Sequence, residues 1–152
     1  MRFNNTPLDF DTILTKLQKA AELLLPYKEE VVALLLFGSA HRQTTTPLSD
    51  IDLAVLYRSG LDQEQMLKLH LRLYSDLSQL METDDFDLVN LNLAPLTLQF
   101  SVIEDKTVLA LYNPEELVDF QAKVMTLYQD FHPILEEYYR NRLKFAGGTQ
   151  NG

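Results

Sequence analysis

Apolar positions along the chain alternate between helical spacing and short unbroken runs, which together predict helices and buried strands. Residues 10–25 place leucine, isoleucine and alanine side chains on one helical face, and Pro26 is expected to end this helix. The run Val31–Phe37 (VVALLLF) is continuously apolar, as is typical of a strand buried on both faces. The pattern therefore predicts an amphipathic helix followed by a strand buried on both faces.

The remaining pattern predicts three more strands and three more helices. The predicted strands are Asp50–Tyr57, Phe86–Leu93 and Val108–Tyr112, and a loop at 43–49, broken by Pro47, precedes the first of them. The predicted helices run from Asp62 to about Met81, from Pro95 to about Glu104 and from Asn113 to about Phe145. The first of these helices starts with a capping box between Asp62 and Gln65, and Pro133 should kink or split the last. This order predicts an α/β (α+β) domain with a small mixed β-sheet flanked by helices. We expect one domain over residues 1–145 and a flexible tail over 146–152.

Composition narrows the class of protein. The 152 residues suit one domain, and the absence of cysteine excludes disulfides and thiolate zinc sites. With no signal-like or membrane-spanning apolar run, the expectation is a cytoplasmic protein that does not enter a membrane. A net charge of −9 argues against a long nucleic-acid partner, because binding to that backbone is driven by lysine and arginine.

Two aspartates at the start of the second strand are the first candidate site. Asp50 and Asp52 alternate along a strand, so their side chains share a face about 6.6 Å apart along its axis. Carboxylates on an otherwise apolar strand repel each other and resist desolvation, so a cation should lie between them. Either a pair of Mg²⁺ ions or Arg42, which is close in sequence, could supply that charge; a plain solvated strand end is the structural alternative.

The pair Gly38-Ser39 ends the first strand and is joined to Asp50 by ten residues. Glycine allows a backbone to approach a phosphate closely and to adopt positive φ, and the serine hydroxyl can hydrogen-bond a phosphate oxygen. Taken alone, such a pair is an ordinary turn. It is not a P-loop, because no lysine follows it.

Gly38-Ser39, the ten-residue spacer, Asp50-Ile51-Asp52 and a later carboxylate strand together resemble the nucleotidyltransferase superfamily with a DNA-polymerase-β-like core. The spacer and the short chain are most similar to the minimal nucleotidyltransferases, the MntA-like antitoxins partnered with HEPN toxins, over about residues 30–143. Arg42 keeps that group's register, whereas His41 and Gln43 depart from it.

The third carboxylate has three candidates in the chain. Asp84 and Asp85 fall where a loop meets the strand, and solvation in the loop explains them. Asp87 lies within an apolar run, where an unpaired carboxylate is costly. We therefore predict that Asp87 completes the site.

The resemblance implies a specific enzyme, a protein adenylyltransferase. It implies a polymerase-β-like palm fold in which Asp50, Asp52 and Asp87 are catalytic and hold two Mg²⁺ ions. Gly38, Ser39, Arg42 and Ser49 would bind the nucleotide. The expected reaction is transfer of AMP from ATP to a tyrosine hydroxyl of a partner HEPN toxin, as the antitoxin of a type VII pair. Two alternatives stay open: transfer to a small molecule such as an aminoglycoside, and neutralisation of a toxin by contact without catalysis.

Overall fold

A computed structural model describes residues 10–38 and 51–148 of the chain. The helices are α1 (Phe10–Leu17), α2 (Ala20–Leu23), α3 (Gln63–Met81), α4 (Leu96–Glu104) and α5 (Pro114–Gly148), with short 3₁₀ turns at Leu25–Tyr27 and Leu91–Leu93. The strands are β1 (Val31–Phe37), β2 (Ile51–Tyr57), β3 (Phe86–Asn90) and β4 (Lys106–Leu111).

The four strands form one mixed sheet in the order β3-β2-β1-β4. β1 pairs antiparallel with both β2 and β4, whereas β2 and β3 run parallel. The parallel pair is possible because α3 carries the chain back from the end of β2 to the start of β3. All seven residues of β1 are buried, as its unbroken apolar run predicts. The predicted small mixed sheet with flanking helices is confirmed.

Each face of the sheet carries its own hydrophobic cluster. Alternation along β2 sends Ile51, Leu53 and Val55 into the first cluster, which includes residues of α1, α2 and α3. The intervening Ala54 and Leu56 belong to the second cluster, which includes residues of α4 and α5. Any residue in phase with Ala54 therefore faces the α4–α5 side of the sheet.

Two helices begin where the sequence predicts, and both starts are capped by hydrogen bonds. At the start of α3, the Gln65 main-chain N–H donates to Asp62 Oδ1 (2.8 Å) and the Asp62 N–H donates to Gln65 Oε1 (3.0 Å). At the start of α5, the Glu116 N–H donates to Asn113 Oδ1 (3.1 Å). These caps fix where the chain leaves β2 and β4.

The first predicted helix is wrong in one respect: it is broken. Lys19 N–H bonds back to Lys16 three residues earlier (3.0 Å), which tightens the turn and separates α1 from α2. Pro26 does not end a long helix; it occupies the first turn of the 3₁₀ segment, where its missing N–H is not needed. The result is a shorter, bent N-terminal layer.

Two other predicted boundaries differ. β3 ends at Asn90 rather than Leu93, because the Asn90 side chain accepts a hydrogen bond from the Asn92 N–H (3.0 Å) and starts a 3₁₀ turn. Pro133 lies inside α5 and does not split it, since the helix is continuous from Pro114 to Gly148. Across the described ranges, no helix combines the length and apolarity needed to cross a bilayer.

Candidate active site

The pairing of β2 with β3 brings two of the predicted carboxylates together. Asp52 and Asp87 are direct partners in this parallel pair, so their side chains project from the same face on strands about 4.8 Å apart. That face is the α4–α5 side, because Asp52 is in phase with Ala54 and Asp87 is in phase with Val89. Asp52 is half-buried and Asp87 is exposed. Both stand near the beginnings of their strands.

Gly38 lies directly against the Asp52 carboxylate. Its φ of +75° is in the left-handed region that favours glycine, and a β-carbon added there would lie 2.6 Å from Asp52 Oδ2. A side chain there would have to move the Asp52 carboxylate and would also be strained by the positive φ, so glycine suits the position for two independent reasons. The bend at Gly38 after β1 thus packs directly against the Asp52 carboxylate of β2.

The same row of residues continues across the sheet to a lysine. Phe37 of β1 pairs with Asp52 on one side and with Lys106 of β4 on the other. The row therefore reads Asp87, Asp52, Phe37, Lys106. Sequence reasoning missed Lys106, because the fourth strand was predicted to begin at Val108 and only the strand register shows that a lysine shares the row of the carboxylates.

Asp85 and Asp84, the rejected candidates for the third carboxylate, precede β3 in a turn held by local hydrogen bonds. The Asp85 N–H donates to Thr83 Oγ1 (3.1 Å), and the Asp84 carbonyl accepts from the Tyr74 hydroxyl (3.1 Å). Neither residue is the strand partner of Asp52, whereas Asp87 is. The geometry supports the choice of Asp87, and its catalytic role stays a prediction.

Four other predicted site residues, Ser39, Arg42, Ser49 and Asp50, lie outside the described residues. So does His41, the one histidine expected next to the site. Within residues 10–38 and 51–148, no three histidine, aspartate or glutamate side chains form a group that could hold a metal ion. Asp52 and Asp87 supply two carboxylates, which are the hard oxygen donors that Mg²⁺ prefers. The pair therefore fits part of a magnesium site.

A cavity of about 460 Å³ lies at the opposite end of β2 from these carboxylates and is lined by residues of α4 and α5. Its lining includes Leu56, four residues and about 13 Å along the strand from Asp52. The Asn92 side chain at its wall is already engaged, because it bonds both the N–H (2.7 Å) and the carbonyl (2.9 Å) of Tyr57. This cavity is not part of the carboxylate site.

His70 is a structural histidine. Its Nε2 lies 2.7 Å from the Leu88 carbonyl and its Nδ1 lies 2.8 Å from the Tyr57 hydroxyl. A carbonyl can only accept, so Nε2 carries the proton and Nδ1 accepts from Tyr57. Burial raises the pKa of Tyr57 above its usual value, which keeps the hydroxyl protonated as the donor. The pair joins α3 to β2 and β3 on the face away from the carboxylates.

A protein-family model matches the sequence of this chain, and solved structures match its fold. The family described as "Polymerase beta, Nucleotidyltransferase" matches residues 18–115. No curated protein matches the chain. Among solved structures, the chain is similar to one in a crystal structure of a toxin–antitoxin with AMP-PNP, at 25% identity and a TM-score of 0.59, over 87% of this chain and 99% of the other.

Two further structures have the same fold. A mutant of the toxin–antitoxin pair MntA–HpeT matches at 26% identity and a TM-score of 0.59, over 80% of this chain and 95% of the other. A complex of the MNT antitoxin with the tri-AMPylated HEPN toxin of Shewanella oneidensis matches at 24% identity and a TM-score of 0.56, over 84% of this chain and 98% of the other. The mixed sheet and its helices are thus those of a nucleotidyltransferase.

Proposed function

This chain belongs to the polymerase beta nucleotidyltransferase family, and from that premise we propose that it transfers AMP from ATP to a tyrosine hydroxyl of a partner HEPN toxin. The observation that carries the proposal is the in-register pair of Asp52 and Asp87 beside Gly38. Carboxylates so close together on one face, next to a bend whose positive φ favours glycine, suit the binding of a cation and a phosphate chain.

The structural neighbours support the proposed nucleotide and partner. One neighbour is a toxin–antitoxin crystallised with AMP-PNP, an analogue of ATP, at 25% identity. Another is the pair MntA–HpeT at 26% identity. The HEPN toxin in the Shewanella oneidensis complex is tri-AMPylated, which suggests the reaction to test for this chain. The acidic net charge of −9 suits a protein acceptor better than a nucleic acid.

Asp52 of β2 and Asp87 of β3 would hold Mg²⁺ together with Asp50, which precedes Asp52 on the predicted strand Asp50–Tyr57. When bound, Mg²⁺ would lower the pKa of the attacking hydroxyl and neutralise charge on the phosphates. The fit rests on the donor chemistry, because both described carboxylates offer oxygen ligands on one face. Asp87 is exposed, so its carboxylate is accessible to an incoming acceptor.

The residues of the chain would mainly position the reactants. Gly38, with Ser39, Arg42 and Ser49, would hold the phosphates so that the α-phosphorus faces the acceptor hydroxyl. The tyrosine oxygen forms a bond to the α-phosphorus, and the bond from that phosphorus to the β-phosphate bridging oxygen breaks. Pyrophosphate leaves with the electrons of that bond. The hydroxyl proton passes to the Asp87 carboxylate or through it to water.

The test is incubation of the purified chain with Mg²⁺, ATP labelled at the α-phosphate, and a HEPN protein encoded beside it. The resemblance to the MntA-like antitoxins implies that the HEPN partner is an RNase. We expect this partner to gain the mass of one or more AMP units on tyrosine, and its RNase activity to fall. A parallel reaction with Asp52→Asn should bind the HEPN protein without labelling it. Neutralisation of the RNase by that variant would instead favour contact without catalysis.

A small-molecule acceptor is the second outcome to separate. If label from ATP appears in an aminoglycoside and not in the HEPN protein, the chemistry is retained and the acceptor is wrong. If no acceptor is labelled although the chain and the HEPN protein bind, the proposal of an adenylyltransferase fails. These outcomes are read from one set of reactions by mass spectrometry.

A further inference from the structure

We propose that Lys106 binds the terminal phosphates of the nucleotide, an inference that rests on the proposed function. Its position follows from the strand register, in which Phe37 pairs with Asp52 on one side and with Lys106 on the other. The bend at Gly38 comes directly after Phe37. Asp52 and Lys106 therefore lie on either side of the strand that ends at Gly38. The carboxylate is on β2 and the ammonium is on β4.

The distances suit a phosphate chain that crosses the end of β1. Neighbouring strands lie about 4.8 Å apart, so the α-carbons of Asp52 and Lys106 are separated by about 10 Å. The Lys106 side chain projects from the α4–α5 face, because it pairs with Phe37 of the second cluster. A triphosphate whose α-phosphate lies at Asp52 and whose tail crosses Gly38 would therefore extend toward the ammonium.

The ammonium is already held in place. Lys106 Nζ donates to the carbonyl of Ile103 in the last turn of α4 (3.0 Å), and its side chain is part-buried. That carbonyl belongs to the negative end of the helix dipole, which favours a cation there. An ammonium has three donor hydrogens, and among the described residues this is the hydrogen bond that it makes. Further donors can thus reach phosphate oxygens.

The surrounding charge gives this lysine its importance. Among the described residues, the acidic side chains at this end of the sheet are Asp52, Asp84, Asp85, Asp87, Glu104 and Asp105. A polyanionic triphosphate placed among them is repelled unless cations offset the charge. Lys106 is the one cationic side chain in the described row of Asp87, Asp52 and Phe37. Its contribution should grow with the number of phosphates on the ligand.

The experiment compares the affinities of two ligands in the presence of Mg²⁺. Calorimetry would measure binding of α,β-methylene-ATP, which cannot release pyrophosphate, and of AMP, to the full chain and its variants. Lys106→Gln removes the charge and can still donate to Ile103. Lys106→Met is a second neutral variant that keeps the apolar stem, and Lys106→Arg restores the charge. Lys123→Gln, on α5 at the distant cavity, is the matched control.

We expect Lys106→Gln and Lys106→Met to weaken binding of the triphosphate analogue by roughly 10- to 100-fold, the usual effect of losing a charge-assisted hydrogen bond. AMP binding should change by less than about threefold, Lys106→Arg should recover most of the affinity, and Lys123→Gln should match the wild type. Equal weakening of both ligands, or no weakening, would overturn the role of Lys106. A wild-type chain that binds neither ligand would overturn the proposed function as well.

Discussion

The Asp52 carboxylate occupies the space that a side chain on Gly38 would need, since a β-carbon on Gly38 would lie 2.6 Å from Asp52 Oδ2. Gly38 of the Gly38-Ser39 pair and Asp52 of the Asp50-Ile51-Asp52 motif are therefore in direct contact. A larger residue at position 38 must either move the carboxylate or distort the end of β1. This coupling explains why a glycine stands where β1 stops, beyond the needs of a turn.

Gly38→Ala should lower transfer activity by about 100-fold while the chain stays folded. Its methyl group would push the Asp52 carboxylate away from its position beside Asp87. A catalytic group that is misplaced by about 1 Å can lower the reaction rate about 100-fold. The positive φ should add about 1–2 kcal/mol of lost stability. AMP transfer and urea unfolding of the same preparation would measure the two effects separately.

Gly60→Ala separates strain from the clash. Gly60 also has a positive φ, +97°, but no atom lies within 4 Å of the position of its β-carbon. The two variants should therefore lose similar free energy of unfolding, while Gly60→Ala keeps nearly wild-type transfer. If Gly38→Ala were as active as Gly60→Ala, the contact with Asp52 would have no functional role.

Asp87→Asn should abolish transfer and leave the fold intact. The substitution keeps the shape of the side chain but removes the charge next to Asp52. Loss of residues that merely support a metal ligand costs about 10- to 100-fold, so loss of a ligand should cost at least about 100-fold. The comparison is Asp85→Asn, two residues earlier and outside the pair with Asp52, which should stay within a few-fold of wild type. The reverse result would make Asp85 the third carboxylate.

Much of the fold could be predicted from the sequence because apolar spacing and helix caps are local signals. The seven-residue apolar run predicts buried β1, and two helices begin where the sequence predicts, after Asp62 and after Asn113. The break between α1 and α2 was not predicted, because it comes from a tightened turn at Lys19 that no glycine or proline marks. Local patterns do not encode such backbone choices well.

Only the candidate residues of the site, and not their arrangement in space, could be chosen from the sequence. Asp52 and Asp87 could be selected because a carboxylate within an apolar strand needs a partner. Asp52 and Asp87 are direct neighbours, and Lys106 shares their row, because of which strands pair and in what register. That information is spread over residues far apart in the chain, so a single sequence does not reveal it.

Asn92→Ala should destabilise the fold without touching the carboxylates. The Asn92 side chain bonds both the N–H (2.7 Å) and the carbonyl (2.9 Å) of Tyr57, replacing a strand neighbour beyond the end of β3. Leaving a buried group unsatisfied costs about 1–3 kcal/mol, so we expect a loss of at least about 2 kcal/mol in urea unfolding. Asn141→Ala, at an exposed position of α5, should change stability by less than about 0.5 kcal/mol. A loss at Asn92 no larger than at Asn141 would contradict this role.

Tyr57→Phe should make the chain less sensitive to alkaline pH. Burial raises the pKa of Tyr57 above its usual value of 10.0, so above that pH the unfolded chain loses this proton while the folded chain keeps it. Stability is therefore full below about pH 10 and falls as pH rises, by at most about 1.4 kcal/mol per pH unit for one group. Tyr57→Phe removes this dependence, although its lost bond to His70 lowers stability at pH 7 by about 1–3 kcal/mol.

Urea unfolding of Tyr57→Phe from pH 7 to 11 would show a shallower decline in stability than in wild type, whereas Tyr138→Phe, at a half-exposed ring, should retain the wild-type slope. Parallel declines in wild type and Tyr57→Phe would mean that the buried hydroxyl does not govern alkaline unfolding.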